Sequence, residues 1–172
     1  MSTVCFKESK SFEWFKEDMV GLTGSIEELS KHIADCCKWM DEINENDFGL
    51  SYCEGKWNVS EVVGHLIDNQ LLFLNRMISI CREDGQEVNG VDEDVWINNS
   101  IYSELGKDEL LDGYKKSSDL MLWMLSNSPE SRFDAKGICN SIEISVRELI
   151  TYLIGHERHH INFVKNKYSP CF

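Results

Sequence analysis

A length of 172 residues predicts one domain over 1–172, with a core large enough to fold without disulfide or metal staples. Thirty acidic side chains against seventeen basic ones give a formal charge of −13. There is no Lys/Arg cluster, so phosphate backbones and anionic lipid surfaces are repelled, which argues against nucleic-acid binding. Seven cysteines, an odd number without a C-x-x-C, fit neither a disulfide framework nor a Cys-type zinc site. The absence of an apolar leader, and of any run of about 18 apolar residues, predicts a cytoplasmic chain with no membrane partner.

The first stretch, "SFEWFKEDM", is a candidate short helix. A capping box at Ser25 and Glu28 opens the first long helix, and Ile26, Leu29, Ile33, Cys36/Cys37, Met40 and Ile43 recur at helical spacing to about residue 45. Asn58 and Glu61 form the same signal for a second helix running to about Arg82, with Trp57 and Val62 placed as a hydrophobic staple. A long polar connection, 83–106, follows and suggests a functional loop with a short helix around Asp94–Asn99. The third long helix covers about 107–126 and stops before Pro129. The next connection, "SPESRFDAKGICNSIEI", predicts an extended turn or a small hairpin. Ser145 and Glu148 cap the fourth helix, which runs to about Lys167 and is followed by Pro170. Four amphipathic helices in one domain predict an all-α four-helix bundle with a long connection between helices 2 and 3, and bundle sites are built from facing helices.

The fourth helix contains "GHERHH", in which His156-Glu157-Arg158-His159-His160 matches H-E-x-x-H, the helix signature of zinc proteases. Leu149, Leu153, His156, His160 and Phe163 share one face, so His156 and His160 point inward one turn apart. His159 lies about 100° round the helix from His160. A protease of this type takes a third ligand downstream. The twelve residues "INFVKNKYSPCF" hold no His, Asp or Glu. The third ligand therefore has to come from upstream, and His65, on an apolar face of the second helix, is the candidate. Three neutral imidazoles with open positions suit a divalent zinc, nickel or iron ion. Glu157 and Tyr152 are the catalytic candidates, Glu157 against the alternative of a bundle-interface or surface carboxylate. Asp68 and Asn69 are candidates for supporting or substrate contacts. Arg76 returns to the face of His65 three turns on and is expected to pair with a carboxylate. His32 is expected at the surface or in packing, and the cysteines in the core or at the surface.

The elements "KWNVSEVVGHLIDNQLLFLNRM", "DEDVW" and "ISVRELITYLIGHERHHINFV", in this order, resemble the DinB/YfiT-like family over about residues 24–168. The resemblance implies a four-helix bundle, commonly a homodimer, and a metal bound by three histidines that map onto His65, His156 and His160. It also implies either metal-dependent hydrolysis or the thiol-dependent chemistry of bacillithiol and mycothiol enzymes.

Three functions follow. The first is a metal-dependent transferase moving a low-molecular-weight thiol onto a small electrophilic substrate, with the 83–106 loop and its Trp96 covering the pocket. The second is a metal-dependent hydrolase with Glu157 or another carboxylate as base. The third is a non-catalytic stress-response metal-binding or interaction protein.

Overall fold

A computed structural model describes Phe15 and residues 17–168. Five α-helices occupy most of that range: α1 (Ile26–Glu42), α2 (Val59–Arg82), the short α3 (Glu93–Asn98), α4 (Lys107–Ser126) and α5 (Val146–Lys167). Three of the four long helices start at a side-chain cap, and α4 starts at Gly106. In α1 the Ser25 hydroxyl accepts from the Glu28 N–H at 3.1 Å, and the Glu28 carboxylate accepts in return from the backbone of Thr23, Gly24 and Ser25. Asn58 and Glu61 exchange the same two bonds at 2.8 Å each, and Ser145 and Glu148 at 3.2 and 2.7 Å. Each box satisfies N–H groups that helix geometry leaves without partners.

The four long helices form the predicted bundle. α2 packs on α4 and α5, and α1 packs on the same two helices. The core is continuous through Leu29 and Met40 of α1, Leu66 and Met77 of α2, Tyr114 and Met121 of α4, and Leu149 and Leu153 of α5. α1 ends at Glu42, short of the predicted residue 45: Ile43 turns extended, and Glu45–Asp47 form a separate 3-10 turn. Of "SFEWFKEDM", Ser11–Trp14 and Lys16 lie outside the described residues, as do Cys5, Pro170 and Cys171. Glu17–Met19 form a 3-10 turn that packs on α5 at Gly155, where an added Cβ would lie 2.5 Å from Met19 Cγ. Cys36, Cys81 and Cys139 are buried, Cys37 is half-buried and Cys53 exposed.

The two connections do more than link helices. The hairpin predicted after α4 forms as β2 (Lys136–Cys139) and β3 (Ile142–Ser145), antiparallel with Gly137 opposite Ile144. Asn140 and Ser141 at its tip take φ of 50° and 68°, as a two-residue hairpin loop requires. The sequence reading gave no strand to 83–106, yet Glu87–Val88 form β1, paired in parallel with Ile138 and Cys139. This pairing satisfies the backbone of the long connection and ties it to the hairpin. Together they wall one side of the bundle above α2 and α5. Gly137 permits the approach, because a Cβ there would come within 2.4 Å of Ile80. No helix of the described residues is long and apolar enough to cross a membrane.

Candidate metal centre

α2 and α5 bring His65, His156 and His160 together. The Nε2 of His156 lies 3.2 Å from that of His65 and 3.1 Å from that of His160. His65 and His156 are buried and His160 is half-buried. His65 is held from two further sides, by the Trp57 ring at 5.0 Å between centroids and by the Asn69 amide 3.1 Å from its Nδ1. Gly64, the residue before His65, lets the Tyr102 ring lie against α2: an added Cβ would meet that ring at 2.2 Å. The Tyr102 hydroxyl then donates to Asp68 at 2.7 Å, fixing the end of the long connection beside the site.

These nitrogens suit a cation better than they suit one another. A neutral imidazole has one lone pair and one N–H, so with the proton on Nδ1 each Nε2 directs a lone pair at the others, an arrangement that a cation between them relieves. Burial pushes the His65 pKa down to about 4. Burial first, and then the neighbouring imidazoles, hold His156 and His160 well below the ordinary histidine range. All three are therefore neutral near pH 7, the form that ligates metal. A cation about 2.0–2.1 Å from each nitrogen would separate them by about 2.9–3.4 Å, depending on the coordination angle. The two spacings observed fall in that range.

Two clefts reach the cluster. The larger, with an open volume of about 660 Å³ including its mouth, runs between α2, α5 and the hairpin to His156, past Phe73, Arg76, Tyr152 and Ile144. The smaller reaches His65 past Asp68 and Trp96. Asn69, Leu72, Val91 and Glu93 line both. Tyr152 thus shares the cleft of His156, stacked on Phe73 at 5.6 Å, and residues 91–96 of the long connection form the cover. Glu93, exposed at this cover, has its pKa raised by the partial desolvation of the cleft, with Arg76 pulling the other way.

Other candidates are placed differently. His159 turns outward, 3.9 Å from Asp18. His32 is 5% exposed, so of the two expected positions, surface or packing, it takes the second. Its Nε2 lies 2.9 Å from Glu157, itself fully buried. The Glu157 carboxylate also accepts from the Tyr114 hydroxyl at 2.7 Å and from the Gln70 amide at 3.2 Å. Cys36 lies 3.7 Å from it. Glu157 is thus the interface carboxylate of the two alternatives, engaged with α1, α2 and α4 rather than with the three imidazoles. Sequence reasoning missed this group because its members are scattered over four helices. The only local signal was His32 and Cys36 one turn apart.

A four-helix bundle with three convergent histidines, reached by two clefts, defines a class. The chain belongs to the DinB superfamily, whose profile matches residues 28–164. OB0413 of Oceanobacillus iheyensis, provisionally named a metal-dependent hydrolase, is 23% identical over 132 residues, 73% of either chain. YfiT from Bacillus subtilis, also provisionally a metal-dependent hydrolase and described as having an unusual four-helix bundle topology, superposes with a TM-score of 0.71. It is 17% identical, over 85% of both chains. A mycothiol-dependent maleylpyruvate isomerase superposes with a TM-score of 0.64 at 16% identity, over 80% of this chain and 60% of its own. At these identities the solved structures establish the shared fold.

Proposed function

We propose that this protein is a metal-dependent enzyme that activates a low-molecular-weight thiol for transfer to a small electrophilic substrate. The observation that carries the reading is the convergence of three neutral imidazole nitrogens, two of whose rings, His156 and His65, line the clefts that reach them. His65, His156 and His160 would hold a divalent cation, for which zinc, nickel and iron are all suited by an all-imidazole set. Such a cation supplies Lewis acidity, which lowers the pKa of a thiol placed beside it. The chain's part is to orient and to exclude water. Trp57 and Asn69 hold the His65 ring, Phe73 and Tyr152 give the substrate an apolar wall, and Val91 and Trp96 close the cleft from above. The mycothiol-dependent neighbour supports the thiol, and the extent of the cleft supports a small substrate.

Hydrolysis is the second reading, supported by the names of the OB0413 and YfiT relatives. It needs a base at the cleft, and Glu93, which lines both arms, is the carboxylate in that position. Glu157, the base expected from the H-E-x-x-H match, is committed elsewhere. The resemblance also implies a homodimer, and the expectation of a cytoplasmic chain stands on the sequence alone. Leu120 and Trp123, exposed one turn apart on α4, offer apolar contact for a second copy, and sedimentation measures it.

The test is to assay zinc-loaded protein with a range of low-molecular-weight thiols and activated electrophiles. Metal-dependent thiol consumption that disappears in His160→Ala supports the transferase. If an intact, loaded protein turns over no pair but hydrolyses esters or amides in a Glu93-dependent way, the hydrolase reading replaces it.

A further inference from the structure

Arg76 was expected to pair with a carboxylate, and among the described residues none closes an ion pair with it, although Glu93 is near enough to feel its charge. It lies eleven residues after His65, about three turns along α2 and on the same face. It is only 6% exposed and lines the larger cleft together with His156. Its Nε is buried without a hydrogen-bond partner. One terminal nitrogen makes a long contact of 3.5 Å to the Asn89 carbonyl, and the guanidinium sits over the Phe73 ring, 5.1 Å from its centroid. No carboxylate of the described residues forms an ion pair with it within 4.0 Å, whereas Arg132 and Arg147 both have such pairs at the surface.

A buried arginine is almost always paired, because an uncompensated charge in the core costs several kcal/mol. Among the described residues only Glu93, across the same cleft, feels this charge, and it closes no ion pair with it, so the donors of Arg76 lie along a cleft wall. The missing partner is therefore something that enters the cleft. Its chemistry can be narrowed. A guanidinium presents parallel N–H donors that match a planar carboxylate. Arg76 is the one cation among the residues that line this cleft, and Glu93 stands across from it. A single positive charge facing a carboxylate side chain favours a monoanion over a doubly charged phosphate. Phe73, Tyr152 and Ile144 beside it suit a short hydrocarbon.

We propose that Arg76 binds the carboxylate of a small carboxylic-acid substrate, setting the substrate's apolar body along Phe73 and Tyr152 and its reactive end toward His156. This deepens the preceding reading and rests on the cleft being the substrate site. It makes Arg76 a substrate-binding residue that acts independently of the metal.

Calorimetric titration with butyrate, butyramide and inorganic phosphate tests it, on both zinc-loaded and chelator-treated protein. Butyrate is expected to bind both forms, more tightly than phosphate, with butyramide at least about tenfold weaker, as the loss of one charge-assisted bond implies. Arg76→Gln should weaken butyrate binding by about 10- to 100-fold with zinc content unchanged, and Arg76→Lys should weaken it less. The Arg76 Nε–H resonance should shift with butyrate in the unsubstituted protein, a readout that does not depend on the variants folding. Equal binding of butyrate and butyramide, unchanged affinity in Arg76→Gln, or an unmoved Nε–H signal would each overturn the proposal, as would butyrate binding only when zinc is present. Failure to load zinc with butyrate binding intact would instead sink the metal-enzyme reading and leave this one standing.

Discussion

Two buried clusters meet on consecutive residues of α5, one at His156 and the other at Glu157, and their polar atoms are satisfied in opposite ways. Around Glu157 the chain supplies a donor for each carboxylate oxygen: His32 and Tyr114 on one, Gln70 on the other. Gln70 accepts in turn from Ser117 and Ser118. Around His156 the close neighbours are two further imidazoles, and its Nδ1 is buried with no partner. The first cluster is closed by the protein. The second gathers ring nitrogens for which the described residues supply one outside donor, the Asn69 amide at His65, and leave His156 Nδ1 unpaired, and clefts reach it. Closure marks a group that holds the bundle together, and incompleteness marks one that waits for a ligand. His32, Cys36 and Glu157 are all ligand-type residues and lie close together, but their atoms are already spent on one another.

The largest effect expected from this contrast is on metal retention. His65→Ala or His156→Ala should lower zinc affinity by more than about 100-fold, beyond what loss of a supporting residue costs. Cys36→Ser and Glu157→Gln should keep one zinc per chain, read by elemental analysis after dialysis. Two metals per chain, or loss of metal in Cys36→Ser, would erase the distinction between the clusters.

Stability should show the reverse order. Glu157→Ala strands His32, Tyr114 and Gln70 in the core and should cost about 3–5 kcal/mol in urea unfolding. His65→Ala in metal-free protein should cost clearly less, because it removes a group whose one outside donor is the Asn69 amide.

Acid gives a third comparison. The His65 pKa falls from the ordinary 6.5 to about 4 in the folded chain, so the unfolded chain binds its proton first as pH drops. The neutral-form stability is complete above pH 6.5 and is lost progressively down to about pH 4, by roughly 3 kcal/mol at this residue. His156 and His160 shift in the same direction. Thermal melts of metal-free protein should therefore drop across that window, and zinc should come off over it. A melting temperature constant from pH 7 to 4.5 would contradict the neutral assignment.

The smallest effect is local. Gly64→Ala forces the Tyr102 ring off α2 and should cost about 1–3 kcal/mol. It should also loosen the Asp68 contact and raise hydrogen exchange at Tyr102–Glu104 while zinc stays bound.

Much of the scaffold was legible because its signals are local. The boxes at Ser25, Asn58 and Ser145 each depend on a residue three positions away, and a periodic apolar face identifies the helix it belongs to. The His156–His160 pair was readable for the same reason, since a spacing of four on a helix fixes direction. Glu157 was harder: a residue about 100° round from His156 can face solvent, cleft or core, and the answer depends on which helix lies opposite. The strand at Glu87–Val88 carried no signal, because two residues have no periodicity and the pairing partner lies some fifty positions away.

By itself, then, the sequence determined the helices, their caps and the inward turn of two histidines, all set by interactions within a few residues of one another. Only the tertiary structure decided that His65 completes the cluster at 3.2 Å, that Glu157 and His32 close a separate one, and that the Arg76 Nε is buried beside a cleft with no hydrogen bond. Those outcomes depend on how four helices and two connections pack. A side chain's partners across a bundle interface are set by the neighbouring helix, not by the residues beside it in the chain.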